Sequence, residues 1–76
     1  MMEFITNIIK TLANHPDNVV ISGLYGRQTV IFEVRCNSDD MGRIIGKSGK
    51  TISSIRTLLG VVAAKQKRKA LLEIVE

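Results

Sequence analysis

The chain has 76 residues, of which 45% are hydrophobic and only Phe4, Tyr25 and Phe32 are aromatic. This length predicts one small domain over residues 1–76 with a mostly aliphatic core, and the hydrophobic content excludes a disordered tail. The formal net charge of +4 favours a polyanionic partner, although a basic balance alone does not define one.

Several common kinds of site lack the residues they need. The lone Cys36 excludes an internal disulfide framework, and with His15 as the only histidine a zinc site is not credible. The pair Asp39–Asp40 is typical of the acidic first turn of a helix rather than of a catalytic dyad. We therefore expect no metal, no cofactor and no enzymatic activity. The N-terminus does not resemble a signal peptide, and no segment has the roughly 20 apolar residues that span a bilayer, so we expect a cytoplasmic protein without a membrane partner.

Hydrophobic periodicity predicts the element order helix, strand, strand, helix, helix, strand. The predicted elements are a helix over residues 3–14, strands over 18–22 and 29–35 joined by a turn at 23–26, a helix from Asn37 to Gly46, a helix over 50–65 and a strand over 70–75. On the longest helix, Ile52, Ile55, Leu59 and Val62 have the spacing of a core face.

The stretch from Arg43 to Ile52 reads R-I-I-G-K-S-G-K-T-I. Its two glycines permit a sharp turn and a close approach of another backbone, and its three cations have no carboxylate between them. A cationic turn that leads into a helix presents N–H groups and positive charge to an anion, so the sequence predicts a phosphate-binding turn.

Two other phosphate-linked motifs share part of this stretch. A P-loop, G-x-x-x-x-G-K-[ST], would need a glycine where Met41 stands and a strand where a helix is predicted. A DNA-binding helix–turn–helix over residues 39–59 would place Thr51, Ser54 and Arg56 in a major groove. We reject the first and keep the second as an alternative.

Residues 44–52, I-I-G-K-S-G-K-T-I, resemble the signature I-I-G-x-x-G-x-x-I of the KH domain. The helix and strand that precede them are similar to the type II arrangement. The whole chain resembles the small single-domain bacterial KH proteins of the KhpA family. This resemblance implies an α+β fold, in which three helices pack on one face of a three-stranded mixed sheet.

The resemblance also implies that the GXXG loop, residues 46–49, clamps the backbone of about four nucleotides of single-stranded RNA. Apolar residues beside the loop would form a floor under the bases, and the segments 32–35 and 65–69 would form the facing wall. The RNA-binding residues expected on this basis are Arg35, Arg43, Ile44, Ile45, Gly46, Lys47, Ser48, Gly49, Lys50, Ile52, Lys67 and Arg68. Arg56 is a further candidate cation.

Three apolar residues of the long helix, Leu58, Val61 and Ala64, lie outside its core stripe. They indicate either a dimer contact or deeper burial in the same core. The family resemblance implies a homodimer or a pair with a larger KH protein of the KhpB (Jag) type, acting as an RNA chaperone linked to cell elongation and division. A protein-interaction subunit with secondary RNA contact remains an alternative.

Overall fold

The computed structural model describes residues 1–75 and has the predicted element order. Its elements are α1 (Met2–Leu12), β1 (Val20–Tyr25), β2 (Thr29–Arg35), α2 (Ser38–Ile45), α3 (Lys50–Lys65) and β3 (Lys69–Val75), with short 3₁₀ turns at Pro16–Asn18 and Lys47–Gly49. None of the helices within residues 1–75 is long and apolar enough to cross a membrane.

The three strands form one mixed sheet in the order β1-β2-β3. The central strand β2 is antiparallel to β1, with Gly23 opposite Phe32, and parallel to β3, with Phe32 beside Leu72. The parallel pairing requires a crossover, and α2 and α3 supply it.

All three helices cover one face of the sheet. Because side chains alternate along a strand, Val30, Phe32 and Val34 of β2 point to that face, and all three are fully buried. The helices contribute further apolar side chains to the same cluster: Ile5, Ile9, Ile44, Ile52, Ile55 and Leu59. The opposite face is open, with Leu24 and Leu71 exposed. The predicted α+β arrangement of three helices on one face is confirmed.

Two local predictions were wrong. The hairpin turn lies at residues 26–28 rather than 23–26, with the Gly26 amide donating to the Thr29 carbonyl at 2.8 Å, and Gly23 belongs to β1. On α3 the fourth core residue is Ala63, which is fully buried, whereas Val62 is only half-buried. The buried face of α3 continues from Leu59 to Ala63, four residues further on, which is consistent with 3.6 residues per helical turn.

The start of α2 also differs from the prediction. The sequence predicts a side-chain cap at Asn37, but this residue makes no side-chain capping hydrogen bond. Asp40 lies in the first turn as predicted and is fully buried, and its two carboxylate oxygens accept hydrogen bonds from the amides of Asn14 and His15, each at 2.9 Å. This carboxylate therefore joins α2 to the corner that follows α1.

Candidate nucleic-acid interface

The GXXG loop starts at Gly46, whose amide donates to the Gly42 carbonyl at 2.8 Å and ends α2. Gly46 has φ 78°, a conformation that favours glycine. A Cβ at this position would lie 2.8 Å from the amide nitrogen of Thr51 and would collide with the Thr51 side chain. Both the backbone conformation and the packing of Thr51 therefore require glycine here.

Ser48 and Gly49 both have a left-handed backbone conformation, with φ of 56° and 73°. Gly49 has open space around the position of a Cβ, so only its backbone conformation favours glycine. Ser48 adopts the same conformation with a side chain, which is uncommon outside Asn, Asp and Gly and is concentrated at functional sites. The loop thus turns through successive positive-φ residues before α3 begins.

The tip of the loop is open to solvent. Lys47 and Ser48 are exposed, and Lys50 is exposed at the first turn of α3. Within residues 1–75, the amides of Gly49 and Lys50 have backbone acceptors in the turn, whereas those of Lys47 and Ser48 have none. These free donors and ammonium groups lie at the positive end of a 16-residue helix, so the corner suits an anion.

The apolar residues around the loop differ in what they can contact. Ile44 is fully buried and Ile52 is 6% exposed, and both belong to the core cluster. Only Ile45 is half-buried and has surface to offer a base. Of the three apolar residues expected to contact the bases, Ile45 alone has exposed surface, because Ile44 and Ile52 are buried in the core.

Arg43 is directed toward the α1 corner rather than toward the loop tip. With the side-chain oxygen of Asn14 facing it, Arg43 donates from Nε at 2.9 Å and from Nη2 at 3.1 Å. The Arg43 charge also acts on Asp40. Burial raises the pKa of the Asp40 carboxyl, but the amides of Asn14 and His15 and the charges of His15 and Arg43 outweigh it, and the net pKa is below the ordinary value.

Two further cations lie away from the loop. Arg35 ends β2 and, since Val34 before it points to the helices, Arg35 points to the open face of the sheet. Arg56 donates to the Leu72 carbonyl from Nε at 3.2 Å and from Nη2 at 3.0 Å, at the free edge of β3. Neither guanidinium is among the groups at the loop tip.

Lys67 and Arg68 follow the C-terminal end of α3, whereas the loop precedes its N-terminal end. A helix of 16 residues is about 24 Å long, so these cations lie at the opposite end of the molecule. The contact of residues 65–69 with RNA stays a prediction, and the structure places this segment at the other end of α3 from the loop. The connection from α3 to β3 has to lie at the far end, because β3 runs back beside the helix.

The apolar surplus on α3 is exposed rather than buried. Leu58 is 52% exposed, Val61 is 55% exposed, and Ala64 is exposed between them and the end of the helix. The three residues share one face at helical spacing. The structure leaves this stripe uncovered in the single chain.

Sequence reasoning missed two residues that shape this region, Asn14 and Thr51. Asn14 orients Arg43 and donates its amide to Asp40, and Thr51 packs against Gly46. No sequence signal indicated the contact between Asn14 and α2, because 26 residues separate Asn14 from Asp40. Thr51 lies inside the recognised signature, where the pattern leaves its position free.

The order of elements, the mixed sheet and the glycine-bracketed turn between α2 and α3 together define a KH fold of type II. The chain matches the family described as KhpA/KhpB, KH domain, over residues 2–74. It belongs to that family.

Similar proteins from distant bacteria share the full length of the chain. The chain is 45% identical to the RNA-binding protein KhpA of Chlamydia caviae, over 100% of this chain and 97% of that protein. It is 40% identical to the protein of the same name from Listeria monocytogenes, over the whole of both chains. The identity to the Caldanaerobacter subterraneus protein is 37%, over 99% of this chain and 100% of that protein. No solved structure matches the chain.

Proposed function

We propose that this protein binds single-stranded RNA by clamping its sugar–phosphate backbone with the GXXG loop. The observation that carries the proposal is the exposed loop tip, where the amides of Lys47 and Ser48 lack backbone acceptors within the described residues. Membership of a KH family and the name RNA-binding protein, which the relatives bear, support the same ligand.

In this proposal each group at the loop has one task. Gly46 and Gly49 let a phosphate approach the main chain, the free amides donate to its oxygens, and the Lys47 and Lys50 ammonium groups neutralise charge. Ile45 offers apolar surface to one base. Neutralisation of about three phosphates predicts a log–log salt slope of roughly −2 for a single strand, and so few contacts give weak binding with little sequence selectivity.

The double variant Lys47→Asp/Ser48→Asp tests the loop directly. Asp tolerates the left-handed conformation of Ser48, so the fold should persist while like charge repels the phosphates. We expect a loss of affinity for labelled RNA of about tenfold or more, on the basis of the lost phosphate contacts. Fluorescence anisotropy measures the affinity, and circular dichroism checks the fold.

The variant Asn7→Asp/Lys10→Glu is the control for the change in net charge. This pair changes the formal charge by the same three units at exposed positions of α1, a different element from the loop. It should bind RNA nearly as well as the unaltered protein. Equal affinities for the loop variant and the unaltered protein, with both folded, would refute the proposal.

We further propose that α3 pairs two KH domains through the stripe Leu58, Val61 and Ala64. The exposure of this apolar stripe supports such a contact, and the family description, which covers both KhpA and KhpB, is consistent with either a second copy or a KhpB (Jag)-type partner. Two domains on one strand would raise the avidity by about 10²–10⁴. By family resemblance, such a pair would act in the cytoplasm as an RNA chaperone with a role in cell elongation and division.

The helix–turn–helix alternative is less well supported, because the three side chains that would enter the major groove make contacts within the protein. The Ser54 hydroxyl donates to the Lys50 carbonyl at 3.0 Å, and Arg56 is held at the Leu72 carbonyl. Thr51 packs against Gly46. Competition between duplex DNA and single-stranded RNA for the protein separates the two functions, and we expect RNA to compete better.

A further inference from the structure

We propose that the open face of the sheet is a self-association surface, on which the open face of a second copy of this chain packs. The open face consists of the alternate strand residues that point away from the helices. The GXXG loop and the stripe of α3 belong to the helical layer on the other side of the sheet. The contact therefore goes beyond the proposed function, and its test needs no RNA.

The open face carries more apolar surface than the solvated side of a sheet needs. Three of the six large apolar side chains that are exposed within residues 1–75 lie on it, namely Val20 at 56%, Leu24 at 57% and Leu71 at 41%. Leu24 is opposite Ile31, and Ile31 is beside Leu71, so three aliphatic side chains form an apolar row across all three strands. The solvated face of a sheet is normally polar. A continuous apolar row on this face therefore indicates a surface that another molecule covers.

The rows on either side of the apolar row carry opposite charges. On one side Glu33 and Glu73 are neighbours across the parallel strands, and on the other side Lys69 is the neighbour of Thr29. Like charges that are neighbours in a sheet destabilise it. A cation placed over the two glutamates would therefore stabilise the sheet, and Lys69 of a second copy supplies one.

The three rows are complementary to themselves about one two-fold axis. An axis that runs along the apolar row, between the two copies, makes the facing strands antiparallel and lays one apolar row on the other. Glu73 of each copy then faces Lys69 of the other. An axis that runs along the strands would instead place Glu33 over Glu33 of the second copy. The charges thus select the antiparallel arrangement.

The size of the open face determines how strong this contact can be. Two sheets pack about 10 Å apart, which facing lysine and glutamate side chains can bridge at the rim. Three strands of about seven residues cover about 23 Å by 14 Å, or roughly 320 Å² in each copy. This is less than half of the approximately 800 Å² that each partner buries in a standard interface. We therefore expect a weak dimer that forms at about 0.1–1 mM.

The test uses Val61→Glu as the parent protein, because this change removes the proposed contact through α3 and leaves the sheet. Sedimentation equilibrium of the parent at about 0.1–1 mM should show monomer and dimer. In this parent, Leu24→Ser should lower the association constant about tenfold, since the apolar row loses covered surface. Circular dichroism checks that each variant is folded.

Val20→Ser is the matched control, because Val20 is on the same strand and the same face and is exposed to the same extent as Leu24. It lies two rows from the apolar row and would face the hairpin turn of the second copy, so it should change the association little. Equal losses in the two variants would show that the apolar row is not the centre of the contact and would overturn the proposal.

An exchange of charges tests the pairing of Glu73 with Lys69. Glu73→Lys raises the net charge by two units and Lys69→Glu lowers it by two, yet each variant alone places like charges opposite each other. Each should therefore associate about tenfold more weakly than the parent, whatever its net charge. A 1:1 mixture of the two variants restores opposite charges in both pairs and should associate as the parent does.

Two results of the charge exchange would contradict the proposed arrangement. A mixture that associates no better than the single variants would show that these two side chains do not face each other. A parent protein that stays monomeric at 1 mM would show that the open face does not pair. Either result would overturn the proposal and would leave RNA binding by the loop unaffected.

Discussion

The two glycines of the GXXG loop are required for different physical reasons, and their substitutions should differ accordingly. Both glycines have a positive φ. A Cβ added at Gly46 would collide with Thr51, whereas a Cβ added at Gly49 would lie in open space. Gly49→Ala should therefore cost only the left-handed conformation, about 1 kcal/mol. Gly46→Ala also forces the backbone of α3 to move and should cost about 3 kcal/mol.

Urea unfolding followed by circular dichroism measures both losses in stability. Gly42→Ala is the control, since Gly42 lies within α2 with open space around its Cβ position and should be stabilised by about 0.5–1 kcal/mol. Equal losses at positions 46 and 49 would contradict the role given to Thr51.

Asp40 makes the stability depend on pH. Its pKa is lowered in the folded protein, because the hydrogen bonds from Asn14 and His15 and the nearby charges outweigh the effect of burial. The unfolded chain therefore binds the proton more tightly. The stabilisation by Asp40 is complete above the ordinary pKa of about 3.9 and is lost as the pH falls through the lower pKa of the folded state.

Asp40→Asn should lower the melting temperature near neutral pH by several degrees, because both amides lose a charged acceptor and one of them would face an NH2 group instead of an oxygen. The difference from the unaltered protein should shrink as the pH falls below the ordinary pKa of the carboxyl and through its lower pKa in the folded state. Melting curves across this range measure it. A difference that stays constant with pH would show that the carboxylate charge is unimportant.

The longest helix has two apolar faces, one in the core and one exposed. Leu58 and Val61 are more than half exposed, and a second domain that covered them would remove apolar surface from water. Val61→Glu should abolish self-association at concentrations where the unaltered protein pairs, because it would bury a charge in the contact.

Sedimentation equilibrium measures this association, with Ser53→Glu as the control on an exposed polar position of the same helix. The control should pair normally. An unaltered protein that stays monomeric at high concentration would count against the homodimer and leave only a mixed pair.

The helices and strands could be predicted from the sequence because their hydrophobic patterns repeat along the chain. The bounds of β2, residues 29–35, and the length of α3 were predicted correctly, since alternation in the strand and the stripe Ile52, Ile55, Leu59 each repeat several times. The hairpin turn was misplaced because Gly23 is a strand residue. Its missing side chain leaves space for the ring of Tyr25, and a single sequence does not distinguish this use of glycine from a turn.

The candidate site was predictable where it is continuous in sequence and unpredictable where it depends on the path of the chain. The GXXG loop itself follows from the signature at residues 44–52. The place of Lys67 and Arg68 does not, because it depends on β3 returning beside α3 from the far end. Likewise, the burial of Ile44 and the engagement of Arg43 by Asn14 arise only when α1 packs against α2.

The molecule as a whole is elongated, with principal extents of 34 × 22 × 18 Å. If RNA binds as we propose, its backbone contacts the GXXG loop at the N-terminal end of α3. The exposed stripe of Leu58, Val61 and Ala64 lies in the second half of the same helix. A strand of RNA and a second domain would thus use different parts of the same helix.

The most direct test of RNA binding by the GXXG loop is an NMR titration of the ¹⁵N-labelled protein with a single-stranded RNA of about five nucleotides, the length that the loop should accommodate. We predict shifts of the amide signals of residues 45–50, largest for Lys47 and Ser48, with little change on the open face of the sheet around Leu24 and Leu71. Shifts that occur elsewhere while residues 45–50 stay unchanged would contradict RNA binding by the loop.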